Sequence, residues 1–183
     1  MFKDYYKTIN EDLRWSTIAY WSGGKGGGTG TFGDVESSFD NGFARDWNRT
    51  IEENITYNDS SVEARKDYQG ILRNSINQQW TVGAVSKLFY KVNEKLNIQF
   101  GIDARTAQIG HWREVRDLLG ANTFYYDGYD FDAPGDYEKG LGDKIAFNFT
   151  NTVNWAGSYL QADYSTEKFS ANVVVGVTAN QYG

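Results

Sequence analysis

From Trp80 to Val92 the even positions read Trp80, Val82, Ala84, Ser86, Leu88, Tyr90 and Val92. From Leu96 to Thr106 they read Leu96, Ile98, Phe100, Ile102, Ala104 and Thr106, with Asn97, Gln99, Gly101, Asp103 and Arg105 between them. Side chains alternate across a strand, so residues 96–106 carry one apolar and one polar face. Asn93-Glu94-Lys95 leaves room only for a tight reversal, which makes the pair an antiparallel hairpin. Strands of about 11 residues are long for a globular sheet (mode ~5–6) and suit a tilted membrane-spanning strand (~9–11).

The same texture recurs along the chain. Residues 2–9 predict the end of a strand, Asn10-Glu11 a turn, and Leu13, Trp15, Thr17, Ala19 and Trp21 alternate with Arg14, Ser16, Ile18 and Tyr20 in a second strand. From Ser22 the chain turns glycine-rich, and the next strand is expected near Ile76, after a helical turn at about residues 61–68. Beyond Arg105 a second long loop runs to about Lys144. Within it Trp112, Val115, Leu118 and Leu119 have helical spacing that Gly120 would stop. Residues 156–164 and 169–179 form the last two strands around Ser165-Thr166-Glu167. The fold predicted is all-β: an antiparallel up-and-down meander of six long strands. Its tight turns alternate with two long loops, at about 23–75 and 107–144. Connections sorted in this way characterise outer-membrane barrels, which have short periplasmic turns and long extracellular loops. Alternation alone leaves the facing of residues 2–9 and 145–155 open.

Aromatics supply 16% of the chain, including 13 Tyr and 6 Trp, amphipathic residues suited to a surface wet at one end and apolar at the other. There is no apolar run long enough for a membrane helix, a test blind to strands. The formal charge of −6 argues against nucleic acid as a partner. With no cysteine, disulfides, thiolate catalysis and cysteine-ligated metal centres are excluded too. Met1-Phe2-Lys3-Asp4 opens no signal peptide, so an exported protein would start upstream of it. In lipid, six strands would leave open sheet edges, so the expected context is a larger barrel.

Gly101-Ile-Asp-Ala-Arg105, His111-Trp-Arg-Glu-Val-Arg-Asp-Leu-Leu-Gly-Ala121, Gly142-Asp-Lys-Ile-Ala146 and Tyr164-Ser-Thr-Glu-Lys-Phe-Ser170 resemble TonB-dependent outer-membrane receptors of the Bacteroidetes type. Ser22 to Gly30 and Ile71-Leu-Arg-Asn-Ser75 do so as well. The resemblance runs along nearly the whole chain in order. It implies part of a barrel of about 22 strands, located in the bacterial outer membrane and importing a scarce nutrient: a ferric siderophore, a cobalamin-like cofactor or a glycan. The implied partners are the rest of the barrel, a plug domain outside this sequence, outer-membrane lipid and the inner-membrane TonB complex. The alternative that the residues leave open is a soluble, secreted β-sandwich that binds carbohydrate, in which the apolar faces at 96–106 and 169–179 pack on each other.

Candidate chemistry lies in the loops. Trp47, Tyr57, Trp112, Tyr125, Tyr126 and Tyr129 are aromatics able to stack on a sugar or siderophore, and His111 is a ligand-contacting candidate. A single histidine alone cannot build the usual zinc site. Lys25 is followed by Gly26, not Ser or Thr, so Gly23–Gly30 fails the phosphate-loop spacing and is expected to be a flexible loop base. Asp127, Asp130, Asp132 and Asp136 could supply oxygen ligands to calcium, but their spacing is not that of an EF-hand, and solvated carboxylates are expected. No catalytic residue and no cofactor is expected. Asn97, Gln99, Asp103 and Arg105 are expected to form a hydrated inner wall.

Overall fold

The computed structural model describes residues 2–40, 42–128, 135 and 137–183. The elements are β1 (Phe2–Thr8), β2 (Leu13–Gly33), β3 (Ser37–Ser38), β4 (Ala44–Arg45), α1 (Trp47–Tyr57), α2 (Val62–Tyr68), β5 (Gly70–Lys91), β6 (Leu96–Asp117), β7 (Phe124–Tyr125), β8 (Glu138–Lys139), β9 (Lys144–Ser165) and β10 (Ser170–Tyr182). Six of them form one antiparallel sheet in the order β1-β2-β5-β6-β9-β10, the meander that the alternation predicts. Two short hairpins, β3–β4 and β7–β8, lie in the long connections.

The tight turns are built alike, from local side-chain bonds. Asn10 Oδ1 accepts from the backbone N–H of Asp12 (3.0 Å) and Leu13 (2.8 Å). Asn93 Oδ1 accepts from those of Lys95 (2.9 Å) and Leu96 (3.0 Å). Thr166 Oγ1 does the same for Phe169 at 3.1 Å. A short polar side chain that satisfies turn amides stabilises each reversal at its own position.

Two boundaries differ from expectation. The glycine-rich stretch is strand, not loop: β2 runs to Gly33 and β5 already begins at Gly70. Residues 111–117 are strand, not helix. Their spacing is helical, but β6 lies between β5 and β9 and gains a ladder of hydrogen bonds on both sides, which outweighs the local pattern. The long connections therefore shrink to 34–69 and 118–143.

The chain divides into two compact units. The first comprises Met1–Gly24, Gln79–Ile109 and Asn151–Gly183. One face of its sheet carries Tyr5, Trp15, Trp21, Val82, Leu88 and Tyr90, then Phe100, Ile102, Leu160, Tyr164, Val173, Val175 and Val177, all exposed. The registers that align them include Val173↔Ala162, Val175↔Leu160 and Val177↔Ser158. The hydroxyl of Ser86, on the same face, is satisfied by Trp15 Nε1 (2.7 Å) and Thr17 Oγ1 (2.8 Å). The opposite face carries the polar network, with Ile18 and Val174 exposed beside it: Gln99 bonds the Tyr159 hydroxyl, Asp163 accepts from Gln161 and Asn172, and Arg105 lies 4.8 Å over Trp155.

The second unit comprises Lys25–Gln78 and Gly110–Thr150. Its core is Ile71, Val115, Phe124 and Ile145, flanked by Phe32, Leu118 and Tyr126. At the mouth of the first long connection Gly33 adopts φ +76°, and a Cβ on Gly70 would run into the Asp34 carbonyl oxygen. Gly70→Ala is therefore expected to lower stability by about 1–3 kcal/mol, the range for an added methyl that forces backbone to move. Equilibrium denaturation measures it.

Candidate functional site

The loop unit is held together by polar anchors. In α1 Asp46 caps the N-terminus by accepting from Arg49 N–H at 3.1 Å, and Arg49 pairs with Glu53 one turn on at 3.2 Å. The buried residues of this helix are polar, Thr50 and Asn54. Asn54 is fully buried: its amide donates to the carbonyls of Gly70 (2.7 Å), Leu119 (2.9 Å) and Leu118 (3.1 Å), and its Oδ1 accepts from Gly70 N–H at 3.0 Å. One side chain thus ties α1 to the start of β5 and to the segment after β6.

Helix α2 is pinned by charge. Arg65 pairs with Glu138 and Lys66 with Asp127, while both cations lie over the Tyr125 ring, at 5.9 and 5.3 Å. The Arg65 guanidinium holds the Glu138 carboxyl below its ordinary range, and the Lys66 ammonium does so for Asp127. Groups lowered in this way contribute stability above their unfolded values, and that contribution is lost as the pH falls through the folded ones. Amide exchange across 62–68 is therefore expected to stay slow from neutral pH to about 5 and to quicken below about 4. Added salt shifts it in the same direction. Exchange mass spectrometry at pH 7 and 3.5, corrected for intrinsic rates, reads this.

The candidate aromatics fall into separate environments. Tyr57 stacks on Tyr68, with centroids 4.6 Å apart. Tyr125 lies beneath the α2 cations and 5.8 Å from Tyr137, whereas Tyr126 packs on Phe32 beside the core. Trp47, in the first turn of α1, is partly exposed. Trp112 lies between Lys25 (5.2 Å) and Lys144 (5.8 Å) and donates to Glu114 at 2.8 Å. His111 shares a 2.5 Å hydrogen bond with Asn77 and sits 5.1 Å from the Phe149 ring. Tyr129, Asp130, Asp132 and Asp136 lie outside the described residues. Of the four acids weighed for calcium, Asp127 is engaged by Lys66.

Sequence reasoning missed Asn54, whose only visible mark is an Asn-Ile-Thr sequon. It also missed Arg73 and Arg113, which fall in stretches that read as loop and as a helical turn. These two lie on the face of the loop unit that carries His111, with Arg113 4.9 Å over Phe147. No protein family, no curated protein and no solved structure matches this chain.

Proposed function

We propose that this chain forms barrel wall and external loops of a TonB-dependent outer-membrane transporter. The observation that carries the reading is the exposed apolar face of the first unit, from Trp15 and Val82 to Val177, with Tyr and Trp near its ends. Water would penalise such a face, whereas a bilayer takes it as its complement. Along β6 the even positions change from Phe100, Ile102 and Ala104 to Trp112, Glu114 and Arg116, the change expected where a strand leaves hydrocarbon. The unpartnered edges of β1 and β10 would need further strands in lipid. Transport would also need a plug and the inner-membrane TonB complex; this chain would contribute wall and ligand-facing loops.

The sandwich alternative needs the faces at 96–106 and 169–179 to pack on each other. Instead Phe100, Ile102, Val173 and Val175 are all exposed, in one sheet. Refolding with lipid vesicles followed by flotation tests the proposal. The chain is expected to float with lipid and to resist alkaline carbonate. Recovery as a folded, soluble monomer would overturn the reading.

A further inference from the structure

Within the loop unit, Arg73 on β5 and Arg113 on the neighbouring β6 share the face on which Asn77 meets His111, and the charge of Arg113 reaches Arg73. Both are partly buried, and the Nε of each is shielded from solvent without a hydrogen-bond partner. Arg73 donates to Ser75 Oγ, and its guanidinium lies against bare β2 backbone: a Cβ on Gly30 would stand 3.2 Å from Nη2. Among the described residues neither arginine forms an ion pair, although this chain has 24 acids against 18 bases and provides a carboxylate for Arg49 and for Arg65. His111 and Asn77 lie on the same face, as do the rings of Phe147 and Phe149, 5.6 Å apart.

Two guanidinium groups partly withdrawn from water, with no carboxylate paired to either among the described residues, favour an anion that bridges them. The guanidinium fork matches a carboxylate or a phosphate in bidentate geometry. We infer that this face is an oxyanion-binding subsite that takes a carboxylate- or phosphate-bearing small molecule. Arg73 and Arg113 hold the charge, Asn77 and His111 add polar contacts, and Phe147 and Phe149 form an apolar wall. The inference deepens the transporter reading by naming the chemistry of the ligand, and rests on it only for that ligand being cargo.

The test is calorimetric titration of the folded, detergent-solubilised chain with citrate, inorganic phosphate and neutral maltotriose at low ionic strength. Citrate or phosphate is expected to bind more weakly as salt is added, and maltotriose not to bind. The stronger of the two anions assigns the oxyanion to a carboxylate or to a phosphate. Arg73→Gln and Arg113→Gln should each weaken binding about tenfold or more, while Arg49→Gln leaves it unchanged. Arg73→Lys and Arg113→Lys, which keep the charge but lose the fork, should weaken it less and serve if the glutamine variants fail to fold. The anion should also raise the thermal midpoint of the parent chain but not of the Arg→Gln variants. Absence of anion binding up to about 10 mM, a range that would already register millimolar affinity, would overturn the inference. So would equal binding by the variants. Vesicle flotation is read separately, so a failed membrane reading and a failed anion site are distinguishable.

Discussion

Leu160→Arg is expected to cost about 2–4 kcal/mol of folding free energy in lipid vesicles, the penalty for a cation near the bilayer midplane on the outer face of a barrel. Leu160 sits opposite Val175 on the exposed apolar face and is 52% accessible. Its neighbour Gln161 points the other way and donates to both Asp163 oxygens at 3.0 Å. Gln161→Arg keeps a partner in Asp163, so its effect should stay within about 0.5 kcal/mol, as for surface changes elsewhere. The contrast between adjacent residues is the informative quantity. If the apolar face met water, Leu160→Arg at a half-open site would also fall within about 0.5 kcal/mol. Denaturant titration of vesicle-folded protein, read by tryptophan emission, gives both numbers.

The second large effect is expected at Asn54. Asn54→Ala removes the partner of three carbonyls and one amide N–H in a site closed to water. A single unsatisfied buried group costs about 1–3 kcal/mol, and the four act as one network, so a loss of about 3 kcal/mol or more is expected. The damage should be local. Limited proteolysis should cut within 34–69 and 118–143, while the six-stranded sheet keeps its circular-dichroism signature. Asn54→Asp should be no better, because a carboxylate would face three carbonyl oxygens.

These two sites also show which parts of the fold are legible in sequence. Strands such as 96–106 and 169–179 announce themselves because alternation is local and each turn carries its own Asn or Thr. Helix α1 was missed although Trp47, Ile51 and Ile55 recur at helical spacing: the stripe is short and lies between glycine-rich and polar stretches, and the residues the helix buries fully are Thr50 and Asn54. The stretch from Gly23 to Gly30 has almost no side chains to alternate, and only its ladder to β5 makes it strand. At 111–117 the apolar residues keep helical spacing and do not alternate, and only pairing on both sides of β6 makes the stretch strand. For the candidate site, the loop aromatics were visible as residue types, but partners such as Phe32 for Tyr126 come from distant parts of the chain. Arg73 and Arg113 are 40 positions apart in sequence, and nothing local marks them as sharing one face of the sheet.

The absence of cysteine allows single nitroxide labels to be placed without background. The most direct test of the account is a label scan of β6 from Asn97 to Arg105 in lipid vesicles. It compares collisions with oxygen, which partitions into hydrocarbon, and with a water-soluble nickel chelate. The account predicts a period of two: Ile98, Phe100, Ile102 and Ala104 favour oxygen, and Asn97, Gln99, Asp103 and Arg105 favour the nickel complex. Even positions shielded from both reagents, or open to the nickel complex, would contradict a lipid-facing wall.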